Sequence, residues 1–302
     1  MTQTMPTLRL IDLDDEQRTS FRERGYAVVH DALDPDEVEA ARAACDRIAD
    51  EGGPRGRYID PRYPDKVEYR DVVSLDPLFR EILVNPRVFP LIVRLLGPNV
   101  HLLSSHFIYK ESRPPGETRN GMWHRDVLGV RHDLGFARVP VISVRAGYYL
   151  TPVDEPDSGI TLFAPGSHLL DEALVEDPHN DTPPVVVRPP VKPGDALIWE
   201  NRTYHAVERN SSGRTRKALM YQYGFRWLRP YDYVTHPPSV LEDCDAIQRQ
   251  LLSAHEVTED GSIARATGNE ALTELCKEQG VEYVPGAYAG YPEGEQPVPA
   301  GY

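Results

Sequence analysis

Three cysteines in 302 residues, Cys45, Cys244 and Cys276, widely spaced and odd in number, leave no disulfide framework and suggest no thiolate metal site. A reducing compartment is expected, and a cytoplasmic location with it. Positive charge is also short: 33 Lys and Arg stand against 47 Asp and Glu, for a formal net charge of −14. That balance removes the basic face a nucleic acid needs and gives no attraction to an anionic membrane, so neither is expected as a partner. No run approaches the roughly 18 uninterrupted apolar residues of a membrane span. Residues 1–15 lack the basic start and apolar stretch of a secretory leader. What remains is a chain of 40% hydrophobic and 26% charged residues, ordinary for a soluble globule that buries a large core.

The first third reads as helical. Asp15–Arg24 ends at Gly25, and Tyr26–Val29 follows as a short strand. Asp34 caps a second helix with Pro35 in its first turn. Val38, Ala41, Cys45 and Ile48 recur along it at spacings of three and four until Gly52-Gly53 ends it. Asp76-Pro77 and Asn85-Pro86 each offer a cap and a first-turn proline, which predicts short helices over 78–84 and 87–96, closed by Gly97-Pro98. From residue 100 the segments are short, rich in Val, Ile, Tyr and Phe, and punctuated by Gly, Pro and Asp. Antiparallel strands are predicted over 100–110, 121–126, 142–151, 160–164, 185–188, 196–200, 204–208 and 218–227. Eight of them fit a mainly β fold, a double-stranded β-helix of jelly-roll, cupin-like type, under a helical layer. Two further helices are predicted over 240–252 and 270–278, with an irregular last fifteen residues. No repeat or linker divides the chain, so one domain over 1–302 is expected: helical layer 1–99, jelly-roll core 100–230, tail 231–302.

The chemistry gathers at His124-Arg125-Asp126 and at His205, which lies 79 positions after Asp126. In an extended segment positions i and i+2 share a face, so His124 and Asp126 project together and a histidine on a facing strand completes a triad. Two histidines and one carboxylate on one octahedral face leave three positions open, the set used by non-heme Fe(II) oxygenases, although catalytic zinc accepts the same ligands. Arg216 follows His205 by eleven residues and runs straight into the apolar Ala218-Leu219-Met220-Tyr221. It reads either as a buried clamp for a dicarboxylate whose 2-oxo acid end chelates the metal, or as one of a solvated basic hairpin tip with Arg214 and Lys217. His106 and Lys110 share a strand face. Lys110 there either meets an anionic substrate or guards a sheet edge. The remaining histidines, among them His168, read as structural or exposed. Residues 127–139 read as a loop over the site.

Set in order, these motifs resemble the phytanoyl-CoA dioxygenase family of Fe(II)/2-oxoglutarate oxygenases over most of the chain. The resemblance begins at Asp15-Glu16-Gln17, Phe21, Gly25-Tyr26-Ala27-Val28-Val29 and Leu33-Asp34-Pro35-Asp36-Glu37-Val38. It continues through Trp123-His124-Arg125-Asp126, similar to the family's proximal iron motif, and Asp157-Ser158-Gly159-Ile160-Thr161 with Ala164-Pro165-Gly166-Ser167-His168. It closes on Lys192-Pro193-Gly194-Asp195 and the pair His205 and Arg216. Ser158 stands where asparagine is usual, and Met122 where some members carry a glutamine.

The resemblance implies Fe(II), 2-oxoglutarate as co-substrate and O2, with His124, Asp126 and His205 as metal ligands and Arg216 on the distal carboxylate of 2-oxoglutarate. Thr161 and Tyr148 are implied at the co-substrate pocket. Relatives that halogenate replace the carboxylate ligand, so Asp126 implies hydroxylation or another oxidation of a small organic substrate. Only five of the 33 basic residues are lysines, a bias of the kind a GC-rich bacterial genome produces, where such oxygenases often serve natural-product pathways. A catalytically idle cupin-like binding protein and a zinc hydrolase are the rival readings. The three ligands together with Arg216 count against the first, and the lack of an evident general base against the second.

Overall fold

The computed structural model describes residues 8–52, 57–135, 139–254 and 268–283. Helix starts follow local chemistry. Asp14 and Gln17 form a capping box ahead of α1 (Asp15–Arg24), and Asp34 and Glu37 do so ahead of α2 (Pro35–Asp50). Gly25 ends α1 with φ 82°, and a Cβ there would stand 2.2 Å from Thr203 Oγ1, so the turn into β1 (Tyr26–Val29) admits no side chain. Then come β2 (Arg57–Ile59), β3 (Lys66–Arg70), α3 (Pro77–Leu83), α4 (Phe89–Leu96) and β4 (Val100–Lys110). The second half contains α5 (Leu128–Leu134), β5 (Ser143–Tyr149), β6 (Thr161–Phe163), β7 (Ala196–Glu200), β8 (His205–Val207) and β9 (Arg216–Phe225), with α6 (Pro238–Leu241), α7 (Ala246–Leu251) and α8 (Glu270–Glu278) after them.

Seven strands form one antiparallel sheet in the order β1-β7-β5-β9-β4-β3-β2, and β6 pairs with β8 in a second. The small sheet is extended by single bridges, His124 to His205 on one side and Val187 to Phe163 on the other. This is the expected jelly roll, with two differences from the predicted strands. Residues 121–126 and 185–188 each form a single bridge to the small sheet, and the first third, where the sequence predicts only Tyr26–Val29 as a strand, supplies β2 and β3 to the large sheet as well as β1. The predicted helix over 240–252 is two short helices, α6 and α7. The loop expected over 127–139 contains α5, and the irregular last fifteen residues lie outside the described ones.

Alternation on the large sheet divides the core in two. Val144, Ala146 and Tyr148 of β5, with Leu219, Tyr221 and Tyr223 of β9, face outward and pack against the helices. Tyr221 and Tyr223 donate their hydroxyls through that layer to the Phe79 and Leu83 carbonyls of α3, both at 2.7 Å. Each such buried bond contributes on the order of 1 kcal/mol. The inner face belongs to Tyr149, Leu197, Trp199, Ala218 and Met220, which meet Phe163 of the small sheet. A register shift between Leu102 and Ser104 turns the middle of β4, so that Leu102 and Phe107 join the outer core and Ile108 the inner one.

Candidate active site

The bridge between His124 and His205 is the nucleus of the site. Each backbone N–H donates to the other's carbonyl at 3.0 Å, which sets the imidazoles side by side with ring centroids 4.2 Å apart. With Asp126 they offer three ligand atoms all within 4.8 Å of one another. Nδ1 of His124 lies 2.9 Å from the Met122 carbonyl, and Nδ1 of His205 2.9 Å from the Thr203 carbonyl. A carbonyl only accepts, so both Nδ1 atoms carry the proton and both Nε2 lone pairs are left for a metal. Burial holds both imidazoles below the ordinary histidine range, His205 down to about 3 with His124 beside it adding to the effect. Neutral imidazole is the ligand form.

Asp126 is gripped from one side. Arg145 donates through Nε to Oδ2 at 3.0 Å and through Nη2 to Oδ1 at 2.7 Å, and Trp199 donates its indole N–H to Oδ2 at 3.1 Å. Two donors occupy Oδ2, while Oδ1 keeps a lone pair on the side where His205 Nε2 lies 3.9 Å away. Burial alone would raise the Asp126 carboxyl, but Arg145 holds it well below the usual carboxylate range. Arg145 is itself placed by Gln222, whose Oε1 accepts from Nη2 at 2.7 Å and whose amide donates to Ser143 Oγ at 3.1 Å. Arg145→Gln is expected to weaken Fe(II) binding by roughly 10- to 100-fold, because the ligand loses both its orientation and its bias toward the charged form. Anaerobic metal titration measures this; unchanged affinity would leave Arg145 as packing alone.

Acid should unfold the metal-free protein earlier than carboxylates alone require. His106 and His205 titrate near 3 in the folded chain because both are buried, and near 6.5 once unfolded. Between those values the unfolded state binds more protons, so stability falls with pH from about 6.5 downward. Denaturant midpoints at pH 7.5, 6.0 and 5.0 should decrease in that order, and flat midpoints would contradict neutral burial of these rings.

Arg216 opens β9 on the inner face, in register with Lys110. It is 1% exposed, its Nε donates to the Gly159 carbonyl at 2.7 Å, and Nη1 and Nη2 have no partner among the described residues. The guanidinium lies 5.6 Å from the centre of the Tyr149 ring. Of the two readings open in the sequence, the solvated hairpin tip is excluded. Burial lowers the affinity of Arg216 for its proton, yet a guanidinium stays charged in proteins. A buried cation with two donor nitrogens unmatched fits a carboxylate ligand held through a bidentate pair.

Tyr148 is not brought to this place: it faces the helices, edge-on to Tyr221 at 6.0 Å between centroids. Its neighbour Tyr149 faces inward and donates its hydroxyl to Thr161 Oγ1 at 2.7 Å while accepting from the Thr161 N–H at 3.2 Å. Thr161 therefore keeps its own hydroxyl proton to donate onward. It lies opposite Val207, two positions along the small sheet from His205, or roughly 7 Å by strand rise. Gly147 leaves room between Arg145 and Tyr149, since a Cβ there would meet Met220 Sδ at 2.7 Å. Lys110 is occupied: its Nζ lies 2.6 Å from Asp65 Oδ2 and 3.3 Å from the Arg119 carbonyl.

A cavity of about 460 Å³ opens over His124 and Asp126, lined by these and Arg145 together with Glu68, Arg70, Ser104, His106, Gln222, Tyr231 and Asp232. Arg145, Tyr149 and the β3 wall escaped the sequence reading. A signal was present in β5, where Arg145, Gly147 and Tyr149 share one parity and Val144, Ala146 and Tyr148 the uniformly apolar other.

Comparison with known proteins bears on the family and the fold. The family model described as phytanoyl-CoA dioxygenase (PhyH) matches residues 21–218. An uncharacterized protein of Mycobacterium tuberculosis is 27% identical over 70% of this chain and 75% of its own, and the dioxygenase af480 of Aspergillus fumigatus 26% identical over 70% and 67%. HygX from Streptomyces hygroscopicus, solved with nickel, 2-oxoglutarate and hygromycin B bound, has a similar fold, with TM-score 0.59 at 19% identity over 72% of this chain and 90% of that one. SnoN, an epimerase solved with Fe3+, alpha ketoglutarate and nogalamycin RO, gives TM-score 0.58 at 23% identity over 71% and 85%. No helix among the described residues is long and apolar enough to cross a membrane.

Proposed function

Since the chain belongs to the phytanoyl-CoA dioxygenase family of Fe(II)/2-oxoglutarate-dependent enzymes, we propose that it hydroxylates a small organic substrate while 2-oxoglutarate is decarboxylated to succinate. The observation that carries this reading is the buried Arg216 fork, two of its nitrogens unmatched, on the same inner sheet face that backs the His124, Asp126 and His205 cluster. A metal centre without a dicarboxylate co-substrate has no use for it.

In this reading His124 and His205 would hold iron through Nε2 and Asp126 through Oδ1. Arg216 takes the far carboxylate of 2-oxoglutarate, with the Thr161 hydroxyl as a further donor set by Tyr149. Bound iron and 2-oxoglutarate supply the activation of O2 and two of the electrons it consumes. The chain's own residues position and shield. Trp199 and Phe163 stand beside His205 at 5.2 and 6.1 Å between ring centroids and shield its imidazole from water on that side. Arg145 keeps Asp126 ionised, and the intact carboxylate leaves no ligand position for a halide, which is why hydroxylation is the outcome we favour. A natural-product intermediate is the substrate class we favour, in keeping with neighbours that bind hygromycin B and nogalamycin RO. The test is succinate release from 2-oxoglutarate by protein loaded anaerobically with Fe(II) and then exposed to air. Slow turnover without added substrate, absent from metal-free protein, is expected; no release under either condition would contradict the reading.

A further inference from the structure

The direction of the Arg216 fork hangs on one contact. Among the described residues its guanidinium forms no ion pair, and its hydrogen bond is the one from Nε to the Gly159 carbonyl at 2.7 Å. Whatever fixes that carbonyl therefore fixes where Nη1 and Nη2 point. The approach is close, since a Cβ on Gly159 would stand 3.3 Å from both Arg216 Cβ and Lys110 Cγ. Gly159 ends a tight turn in which Asp157 has φ 58° and Gly159 φ 83°, both left-handed, so the turn needs holding from outside. Ser158, between them, is where it is held. Its backbone N–H donates to Glu208 Oε2 at 3.1 Å, and its hydroxyl donates to the Glu155 carbonyl at 2.6 Å while accepting from Arg188 Nη2 at 3.2 Å. Arg188 and Glu208 are bound to one another, Nε to Oε1 at 2.7 Å and Nη2 to Oε2 at 3.3 Å. Arg188 Nη2 also reaches the Val153 and Glu155 carbonyls, which ties down the chain leading into the turn. Glu208 stands three residues after His205, and its backbone N–H donates to the Ile160 carbonyl at 2.8 Å. One ion pair thus joins the strand that carries a metal ligand to the turn that orients Arg216.

We propose that Arg188 and Glu208 are positioning residues for 2-oxoglutarate: through Ser158 they hold the Gly159 carbonyl, and through that carbonyl they direct the Arg216 fork that receives the distal carboxylate. This rests on the dioxygenase reading, in which Arg216 has that role. Arg188 and Glu208 act only through Arg216, because their own charged groups are used on each other. A bidentate pair requires both guanidinium nitrogens to meet both carboxylate oxygens, so a small drift of the turn loses affinity long before it loses the fold. The effect is confined to one end of the site. His124 and His205 are oriented by the Met122 and Thr203 carbonyls and Asp126 by Arg145 and Trp199, none of which belongs to this brace.

Anaerobic calorimetric titration of 2-oxoglutarate into the Fe(II)-loaded full chain reads the effect as affinity, without turnover. Glu208→Gln keeps the size of the side chain and removes the ion pair, and should weaken 2-oxoglutarate binding about tenfold. Arg188→Gln, at a half-buried position that tolerates the change, should do the same, and the two together should be no worse than either. In an Arg216→Met background Glu208→Gln should shift affinity by less than about twofold, because the group it positions is gone. Fe(II) affinity, titrated separately, should stay within about twofold of wild type in both single variants. Wild-type affinity for 2-oxoglutarate in both single variants, each with unchanged far-UV circular dichroism, overturns the proposal. So does a loss that persists in full in the Arg216→Met background, or one matched by an equal loss of Fe(II) affinity, since either marks a general structural role. Failure of the wild-type protein to bind 2-oxoglutarate at all overturns the dioxygenase reading, and the proposal with it.

Discussion

His124→Ala should lower iron-dependent succinate release by at least about a thousandfold, which corresponds to roughly 4 kcal/mol of lost transition-state stabilisation. The magnitude follows from what the residue does. His124 supplies one of three ligand atoms within 4.8 Å of one another, and its Nε2 is directed by the Nδ1 contact to Met122. No other histidine or carboxylate among the described residues joins that group, so the loss has no local substitute. The same variant should retain its fold, because the ring contributes no ladder bond: the bridge to His205 is made by the backbone. Near-wild-type circular dichroism with stoichiometric iron binding lost is the expected pair of results. Retention of turnover above a few per cent would place the metal elsewhere.

Arg216→Met carries the second large effect, and it acts in opposite directions on two readouts. Losing a buried, bidentate partner for a carboxylate costs about 3 kcal/mol, so the KM for 2-oxoglutarate should rise by more than about a hundredfold. Without co-substrate, however, the same substitution removes a buried cation whose Nη1 and Nη2 have no partner among the described residues. Apolar replacement of such a group is often stabilising by about 1–4 kcal/mol, so the ligand-free Tm should rise. Saturating 2-oxoglutarate should then stabilise the wild type, by about 2.7 kcal/mol at a hundredfold excess over Kd, and leave the variant unmoved. A lower Tm together with an unchanged KM would make Arg216 a structural arginine satisfied by Gly159 alone.

How much of this was legible in the sequence depends on whether the deciding interaction was local. Capping residues placed α1 and α2 well, because a cap acts within three residues of itself, and local turn and periodicity signals placed β1 and α8. The triad was legible because His-x-Asp carries its own spacing, although its two members come together at a single bridge and the turn after it rather than along a regular strand. β3 was missed for a physical reason: Lys66, Glu68 and Arg70 point inward, toward a chamber they line or brace, and an inward charged row reads as a solvated loop. Tyr148 and Tyr149 are chemically identical neighbours. Which of them faces inward is hinted at by the parity of β5 and fixed by the pairing of Tyr149 with Ala218, 69 positions away. The same parity marks Arg145, but its partners were not legible, since Asp126 lies 19 residues earlier and Gln222 77 later.

The central claim is that His124, Asp126 and His205 hold iron while Arg216 holds the other end of 2-oxoglutarate, so that co-substrate binding needs both. Anaerobic calorimetric titration of 2-oxoglutarate into Fe(II)-loaded protein tests it most directly. One site per chain is predicted, at least about tenfold weaker without metal and about a hundredfold weaker in Arg216→Met. Equal affinity with and without Fe(II), or in the wild type and Arg216→Met, would contradict it.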